Sequence, residues 1–296
     1  MNLNDLNVFA AAARFGSITK AAHSLSTVQS NVTARIRSLE DELGVQLFHR
    51  NPRGIRLTAK GLELLPYAQQ TMALVQQATA AVSNNKEVQG ILRIGSLQST
   101  ASTRLPDVLK AYVEKHRKVD IAIESGTAAE LIEKVVDYRL DGAFVAGPVP
   151  AELEAMVAFV EELVMVTPVA YRSLNAYLRQ GPITKVLVFK AGCFYREKLE
   201  RYLASTGTDV LQEMEFGTLD GIIGCVSAGL GITMLPRSVV ERSARRKDVR
   251  VHALAPEDRV VETLFIAHRT PTQSPALARF KEVIAAGRPR PATAKR

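Results

Sequence analysis

Residues 17–61 restrict the fold more than any other part of this chain, because they place two helices on either side of a two-residue corner. Ser17-Ile18-Thr19-Lys20-Ala21-Ala22 opens the first helix, with Ser17 in the capping position. Leu25 closes it and Ser26-Thr27 make the turn. The spacing predicts a second helix over 28–43, stopped by Gly44, the residue type that most readily turns left-handed past a helix end. Val28, Val32, Ile36, Leu39 and Leu43 fall on one side as an apolar stripe. The other side carries Gln29, Ser30, Asn31, Thr33 and Arg37, with Thr27 and Arg35 beside them. Amides and small hydroxyls on an open helix face suit hydrogen bonds to base edges in a major groove. This is the layout of a DNA-reading helix-turn-helix.

The flanks supply what a lone helix pair lacks. A helix over 4–15, with Leu6, Phe9, Ala10 and Ala13 inward, completes a three-helix core. Past Gly44, Leu47-Phe48 turn inward, and Arg50-Asn51-Pro52-Arg53-Gly54-Ile55-Arg56 reads as a two-stranded wing. Its arginines, Arg50, Arg53 and Arg56, are expected on phosphates, which gives affinity and register but not sequence readout. A long helix over 58–84 follows. Leu65, Ala68, Met72, Val75, Thr79 and Val82 alternate spacings of three and four along it, a heptad seam expected to join two copies, the alternative being a helix that lies on its own domain. Pro66 is expected to kink its start, or to lie where a short helical turn hands over to the long helix. Asn84-Asn85-Lys86-Glu87 reads as a hinge.

At Gly90 the pattern changes to strands alternating with helices, repeated in two cycles. The first cycle has strands over 91–95, 119–124 and 143–146, with a helix over 128–138 between the last two. The second has strands over 185–189, 211–216 and 231–235, with helices over 194–204 and 219–227. Such alternation implies parallel sheets with right-handed crossovers, hence two α/β lobes. Residues 155–168 should cross from one lobe to the other and 260–267 should cross back. The last helix, 275–285, should then dock on the first lobe. The expected organisation is a DNA-binding domain over 1–58, a linker helix and hinge over 59–89, and a two-lobed domain over 90–287. Within it, lobe I takes about 90–160 and 268–287, and lobe II about 161–267. Residues 288–296 form a basic, proline-rich tail expected to be disordered.

Composition narrows the class. The chain has 296 residues, 47% of them hydrophobic, enough for more than one core. Its net charge of +8 favours an acidic polymer as partner. No apolar run is long enough to cross a bilayer. The start, Met1-Asn2-Leu3-Asn4-Asp5, lacks a basic region followed by an apolar stretch, so no export signal and a cytoplasmic location are expected. His23, His49, His116, His252 and His268 are scattered, and none stands at ligand spacing with Cys193 or Cys225, so no metal and no cofactor is expected. There is no Gly-x-Ser-x-Gly elbow and no phosphate loop. Glu161 and Glu162 are adjacent, so on a strand they face opposite ways and make no carboxylate pair. An enzyme or a small-molecule-binding protein built on the lobes alone, or a nonspecific DNA binder built without them, leaves one half of the chain without a role.

The N-terminal residues resemble the LysR-type transcriptional regulators. The resemblance is carried by Leu6, Phe9, Gly16-Ser17-Ile18, Ala21-Ala22, Leu25, Gln29-Ser30, Val32, Ile36, Leu39-Glu40, Leu43-Gly44, Leu47-Phe48, Arg50, Leu57-Thr58 and Gly61. Gly217-Thr218-Leu219, Gly229-Leu230-Gly231-Ile232 and Leu235-Pro236 look like the family's second lobe. The resemblance implies an α/β chain: a helical winged helix-turn-helix head, a linker helix, and two lobes of periplasmic-binding-protein type. It also implies double-stranded promoter DNA, RNA polymerase and a small-molecule effector as partners, and a homo-oligomer that is a dimer of dimers. Activation and repression are both open. Gln29, Ser30 and Thr33 are then the expected base readers. Many family members carry an arginine where Ala34 stands, so no contact is transferred to that position.

The effector is expected between the lobes, at the carboxyl ends of the strands. The candidates are Ser99 and Thr100 after the first strand, Thr127 after the second, and Lys190, Cys193 and Thr218 from the other lobe. Hydroxyls at helix starts suit a small carboxylate or other anion, although each is also a common helix cap. Cys193 near a helix start and Lys190 could carry a lowered thiol pKa, which would make the chain redox- or electrophile-responsive. The alternative is a small pocket or core residue.

Overall fold

A computed structural model describes residues 1–51, 54–82, 88–179, 184–208, 210–269 and 273–287. The expected hinge at 84–87, Arg53 of the wing and the tail at 288–296 lie outside the described residues. The chain forms two compact units, one chiefly Met1–Asn85, the other Lys86–Val136, Leu140–Thr270 and Pro275–Arg296.

The first unit contains α1 (Leu3–Phe15), α2 (Ile18–Ser24), α3 (Gln29–Leu43), β1 (Phe48–Asn51), β2 (Gly54–Leu57) and α4 (Ala59–Val82). A capping box opens α1: Asn2 accepts from the amides of Asn4 and Asp5, and the Asp5 carboxylate accepts from the Asn2 amide. Ser17 caps α2, Leu25 closes it, and Gly44 ends α3 at φ +68°. Gly16 ends α1 and also holds the wing. Its carbonyl accepts the Ile55 amide at 3.1 Å, and a Cβ on Gly54, which sits at φ +132°, would lie 2.6 Å from that carbonyl oxygen. Only glycine fits there.

Two details of the expected core change. Val32, Ile36 and Leu39 are buried, but Val28 and Leu43 are exposed, because the end turns of α3 project past the helices it packs on. On α1 the buried apolar residues are Leu6, Val8, Phe9 and Ala12, while Ala10 and Ala13 are half-buried. Phe9 meets Phe48 of the wing with ring centroids 5.4 Å apart. Val28 is the N-cap of α3 and offers no side-chain acceptor. Val28→Ser should therefore add about 1 kcal/mol to the stability of this unit, seen as a higher thermal midpoint of its transition.

The helix α4 continues through Pro66. Ala68 is buried and Leu64 and Leu65 pack against the same core as α1. The first members of the expected seam are thus used within their own domain. Among the described residues, the large apolar side chains that α4 leaves exposed are Leu62, Tyr67 and Leu74.

The second unit runs β3 (Gly90–Ser96), α5 (Gln98–Thr103), α6 (Leu105–Lys115), β4 (Val119–Ser125), α7 (Ala128–Val136), β5 (Gly142–Val145), β6 (Leu153–Pro168), α8 (Leu174–Leu178), β7 (Thr184–Val188), α9 (Phe194–Ser205), β8 (Val210–Glu215), α10 (Leu219–Ser227), β9 (Thr233–Pro236), α11 (Arg237–Arg242), β10 (Val249–Ala253), α12 (Pro256–Arg259), β11 (Val260–His268) and α13 (Pro275–Ala286). The main sheet has the order β10-β6-β11-β5-β3-β4, with β9 also on β6, and β7 pairs with β8. The expectation of parallel sheets holds only where helices cross over: β3 is parallel to β4 and β5, and β7 to β8. The two crossing strands run against their neighbours, β11 against β5 and β6, and β6 against β9 and β10. At sixteen residues β6 is long enough to serve both halves, pairing with β11 over its first part and with β9 and β10 over its last.

Three cores follow this topology. One gathers Leu92, Ile94, Tyr112, Phe144, Phe265 and Phe280, so α13 docks on the first lobe as expected. Another gathers Val164, Leu187, Ile222, Ile223 and Val226 beneath α10. The third, with Leu131, Leu163, Met165, Val186 and Leu199, includes residues from both lobes along β6. At the changeover Glu161 is buried, taking Arg104 Nε at 2.6 Å and Ser238 Oγ at 2.7 Å. Glu162, on the opposite face, takes Arg237 Nε at 2.8 Å and Nη2 at 3.2 Å.

Burial holds His252 and His268 below the ordinary histidine value, with the Arg250 charge adding to the effect at His252. The unfolded chain therefore takes up protons first. Their contribution to stability is present above the unfolded value near ~6.5 and is lost as pH falls toward the folded values. The urea midpoint of this unit should drop between pH 7.5 and 5.5, and less so in a His252→Gln, His268→Gln variant.

Candidate functional site

The outward face of α3 presents Gln29, Ser30, Asn31 and Arg37 to solvent, with Thr33 half-buried. They stand there because Val32, Ile36 and Leu39 fix the opposite face in the core. Asn31 Nδ2 donates to Thr27 Oγ1 at 2.9 Å, which ties the turn to the first turn of the helix. Ser17 Oγ accepts the Lys20 amide at 3.4 Å, so its hydroxyl is a cap. Arg56 is exposed on β2, opposite His49 of β1. Arg50 lies on β1. Arg35 departs from the expectation. Its Nη1 reaches back to Asp5 Oδ1 at 3.0 Å, and Asp5 is buried, so this guanidinium ties α3 to α1 instead of facing outward. The exposed cation Lys20 was not among the candidates, although it belongs to the Ser17–Ala22 string that opens the head.

In the second unit a cavity of about 280 Å³ opens at the carboxyl ends of β3, β4, β7 and β8. Ser99, Thr127, Lys190 and Cys193 line it, as expected. Thr100 and Thr218 do not. Thr100 is buried within α5, and Thr218 caps α10 by accepting the Gly221 amide at 3.1 Å. Of the expected hydroxyls, the two that line the cavity are already engaged. Ser99 Oγ lies 3.1 Å from Tyr195 Oη, and Thr127 Oγ1 accepts the Glu130 amide at 3.3 Å. Glu130 returns the bond, its Oε2 accepting the Thr127 amide at 2.9 Å, a capping box at the start of α7.

The same Glu130 takes Lys190 Nζ on Oε1 at 2.5 Å, across the cleft. The Lys190 hydrogen bond, helped by the Thr127 N–H, holds the Glu130 carboxyl down at about 2. Gln98 Nε2 donates to the Gly217 carbonyl at 3.1 Å, a second link between the two sides. Burial pushes the Cys193 thiol up, and Lys190 is engaged with Glu130, so the lowered thiol pKa expected from position does not arise. Cys193 packs on the core shared by both lobes and Cys225 on the core beneath α10; both are free thiols. Glu130, Tyr195, Glu215, Phe189 and Phe216 were missed as lining residues. Phe189 and Phe216 could have been found, because they follow β7 and β8 just as Ser99 and Thr127 follow β3 and β4.

Residues 3–62 match the family model described as bacterial regulatory helix-turn-helix protein, lysR family, and residues 85–288 match the LysR substrate binding domain. The chain belongs to the LysR family. It is a DNA-binding transcriptional regulator with a ligand-binding domain. This LysR-type regulator is 43% identical over 284 residues to the uncharacterized HTH-type transcriptional regulator YusT of Bacillus subtilis, covering 95% of each chain. It is 38% identical to the HTH-type transcriptional regulator GltR of the same organism, again over 95% of each. Its fold resembles full-length OxyR from Pseudomonas aeruginosa, with a TM-score of 0.76, 22% identity and 97% of each chain covered. It also resembles CbnR solved with its target DNA, with a TM-score of 0.65, 22% identity, and 97% and 99% covered. Among the described residues no helix is long and apolar enough to cross a membrane, and no His, Cys, Asp and Glu group is placed to hold a metal.

Proposed function

We propose that this LysR-type regulator reads its operator with Gln29, Ser30, Asn31 and Thr33 of α3. Arg37, Arg50, Arg53 and Arg56 hold the phosphates, and a small molecule in the cleft changes how the heads engage DNA. The observation that carries this reading is the contrast on α3: a polar, exposed face opposite a fully buried one. The functional boundaries follow the sequence: a head over 1–58, a linker over 59–89 and the ligand domain over 90–287. The protein works as a homo-oligomer, a dimer of dimers, with Tyr67 and Leu74 of α4 as the exposed apolar side chains that a second linker helix would cover. It acts by binding, without catalysis, in the cytoplasm, and its output passes through RNA polymerase. The effector must bind two arrangements of the oligomer with different affinity for its occupancy to matter.

The test is titration of the promoter fragment beside the gene against competitor DNA at one stated salt concentration. A specific site should win by about a thousandfold or more. Equal affinity for both would sink the reading. Arg56→Ala should weaken specific and competitor DNA alike and reduce the salt slope by about 0.9 for the lost phosphate contact. An unchanged slope would remove Arg56 from the interface.

A further inference from the structure

The charge lining the cleft is opposite in sign to what its hydroxyls led one to expect. Two carboxylates, Glu130 and Glu215, face one ammonium, Lys190. That ammonium is held by Glu130 Oε1. The Thr127 N–H, at the start of α7, is taken by Glu130 Oε2. The ammonium and the helix-start amide an incoming carboxylate would use are thus taken by the protein's own carboxylate, and the Ser125 hydroxyl is a further donor on the wall. The Ser99 hydroxyl is bonded to Tyr195, and the Cys193 thiol is held neutral by burial. Arg196 does not line the cavity; it pairs with Glu200, Glu213 and, at 3.4 Å, Glu215. The rest of the wall includes Leu97, Phe189, Phe216 and Tyr195. Aromatic rings beside carboxylates are the surroundings in which a cationic nitrogen is stabilised. A second anion brought there would meet like charge.

We infer that the cleft takes a small molecule carrying a cationic nitrogen on a compact apolar or aromatic body. The nitrogen shares Glu130 with Lys190 and Glu215 with Arg196, whose contact is long at 3.4 Å, and the body lies among Phe189, Phe216 and Leu97. This rests on the reading of the cleft as the ligand site and gives that ligand a chemical class. A cavity of about 280 Å³ is at the small end for organic ligands, which fits a single-ring or short-chain amine. Because Glu130 occupies both Lys190 and the Thr127 amide, it also sets the preference: removing its charge frees the groups an anion needs.

The experiment is calorimetric titration of the full-length protein with three matched probes: phenethylamine, 2-phenylethanol and phenylacetate. Phenethylamine should bind at least tenfold more tightly than the alcohol, and phenylacetate should bind weakest. Glu215→Gln, at an exposed position, should cost phenethylamine at least fivefold and leave the alcohol unchanged. Glu130→Gln should lower phenethylamine affinity and raise that of phenylacetate. The inference is overturned if phenylacetate binds the unaltered protein best, if amine and alcohol bind alike, or if none of the three binds. Specific operator binding measured on the same preparation separates this failure from failure of the regulator reading, since it stands or falls without any probe.

Discussion

Arg104→Met should cost the ligand-binding unit about 3 kcal/mol of stability, the largest loss expected from a single side chain outside the apolar cores. The reason lies in what stays behind. Glu161 is only 5% exposed, and without Arg104 its carboxylate keeps the Ser238 hydroxyl as its remaining hydrogen-bond donor. Removing one partner of a buried pair typically costs about 3–5 kcal/mol. The low end applies because the Arg104 side chain is itself 39% exposed and Ser238 still donates. Urea unfolding followed by a probe in this unit measures the loss. Pairing the change with Glu161→Leu should restore most of it, because the stranded charge is then gone. A loss under about 1 kcal/mol for Arg104→Met, against the ~3 expected of a buried pair, would mean that Glu161 is satisfied without it.

Gln29→Ala should weaken operator binding by about 1–3 kcal/mol and leave competitor DNA nearly untouched. At about 1.4 kcal/mol per factor of ten, that is roughly five- to more than a hundredfold in specificity. Gln29 is the first residue of α3 and is exposed, and an amide there can both donate to and accept from one base edge. The change leaves the cap at Val28 as it was, so folding is not confounded. Arg35→Ala is the internal contrast. Its guanidinium is bonded to Asp5, so it should lower the stability of the head while specificity survives in the folded fraction. If Arg35→Ala altered base preference and Gln29→Ala did not, α3 would be rotated from the orientation described.

The head was legible in the sequence because its determinants are local. Ser17, Gly16 and Gly44 cap and stop helices within a few residues of themselves, and Val32, Ile36 and Leu39 repeat at helical spacing. What failed there was non-local or terminal: Arg35 finds Asp5 thirty residues away, and Val28 and Leu43 keep the right spacing but overhang the core. In the lobes, element order was readable, since each strand or helix carries its own pattern. Strand direction was not, because β6 and β11 cross without an intervening helix pair to set it. The cleft was half legible. Ser99, Thr127, Lys190 and Cys193 follow from the rule that ligands sit past strand ends, but a sequence does not show that Glu130 and Lys190, sixty residues apart, meet across it. Nor does it show that a hydroxyl at a helix start is already bonded to its own helix.

The sixteen-residue strand β6 has a mechanical consequence. Both lobes hang their sheets on one continuous spar, clamped where it changes partners by Arg104 and Ser238 on one face and Arg237 on the other. A jaw on loose loops swings freely; one mounted on a hydrogen-bonded ribbon has to wring it. Any rotation of one lobe against the other has to twist this hydrogen-bonded backbone, which opposes a large angle. Such a part suits a gauge that registers its ligand by a set small twist better than a trap that holds its catch.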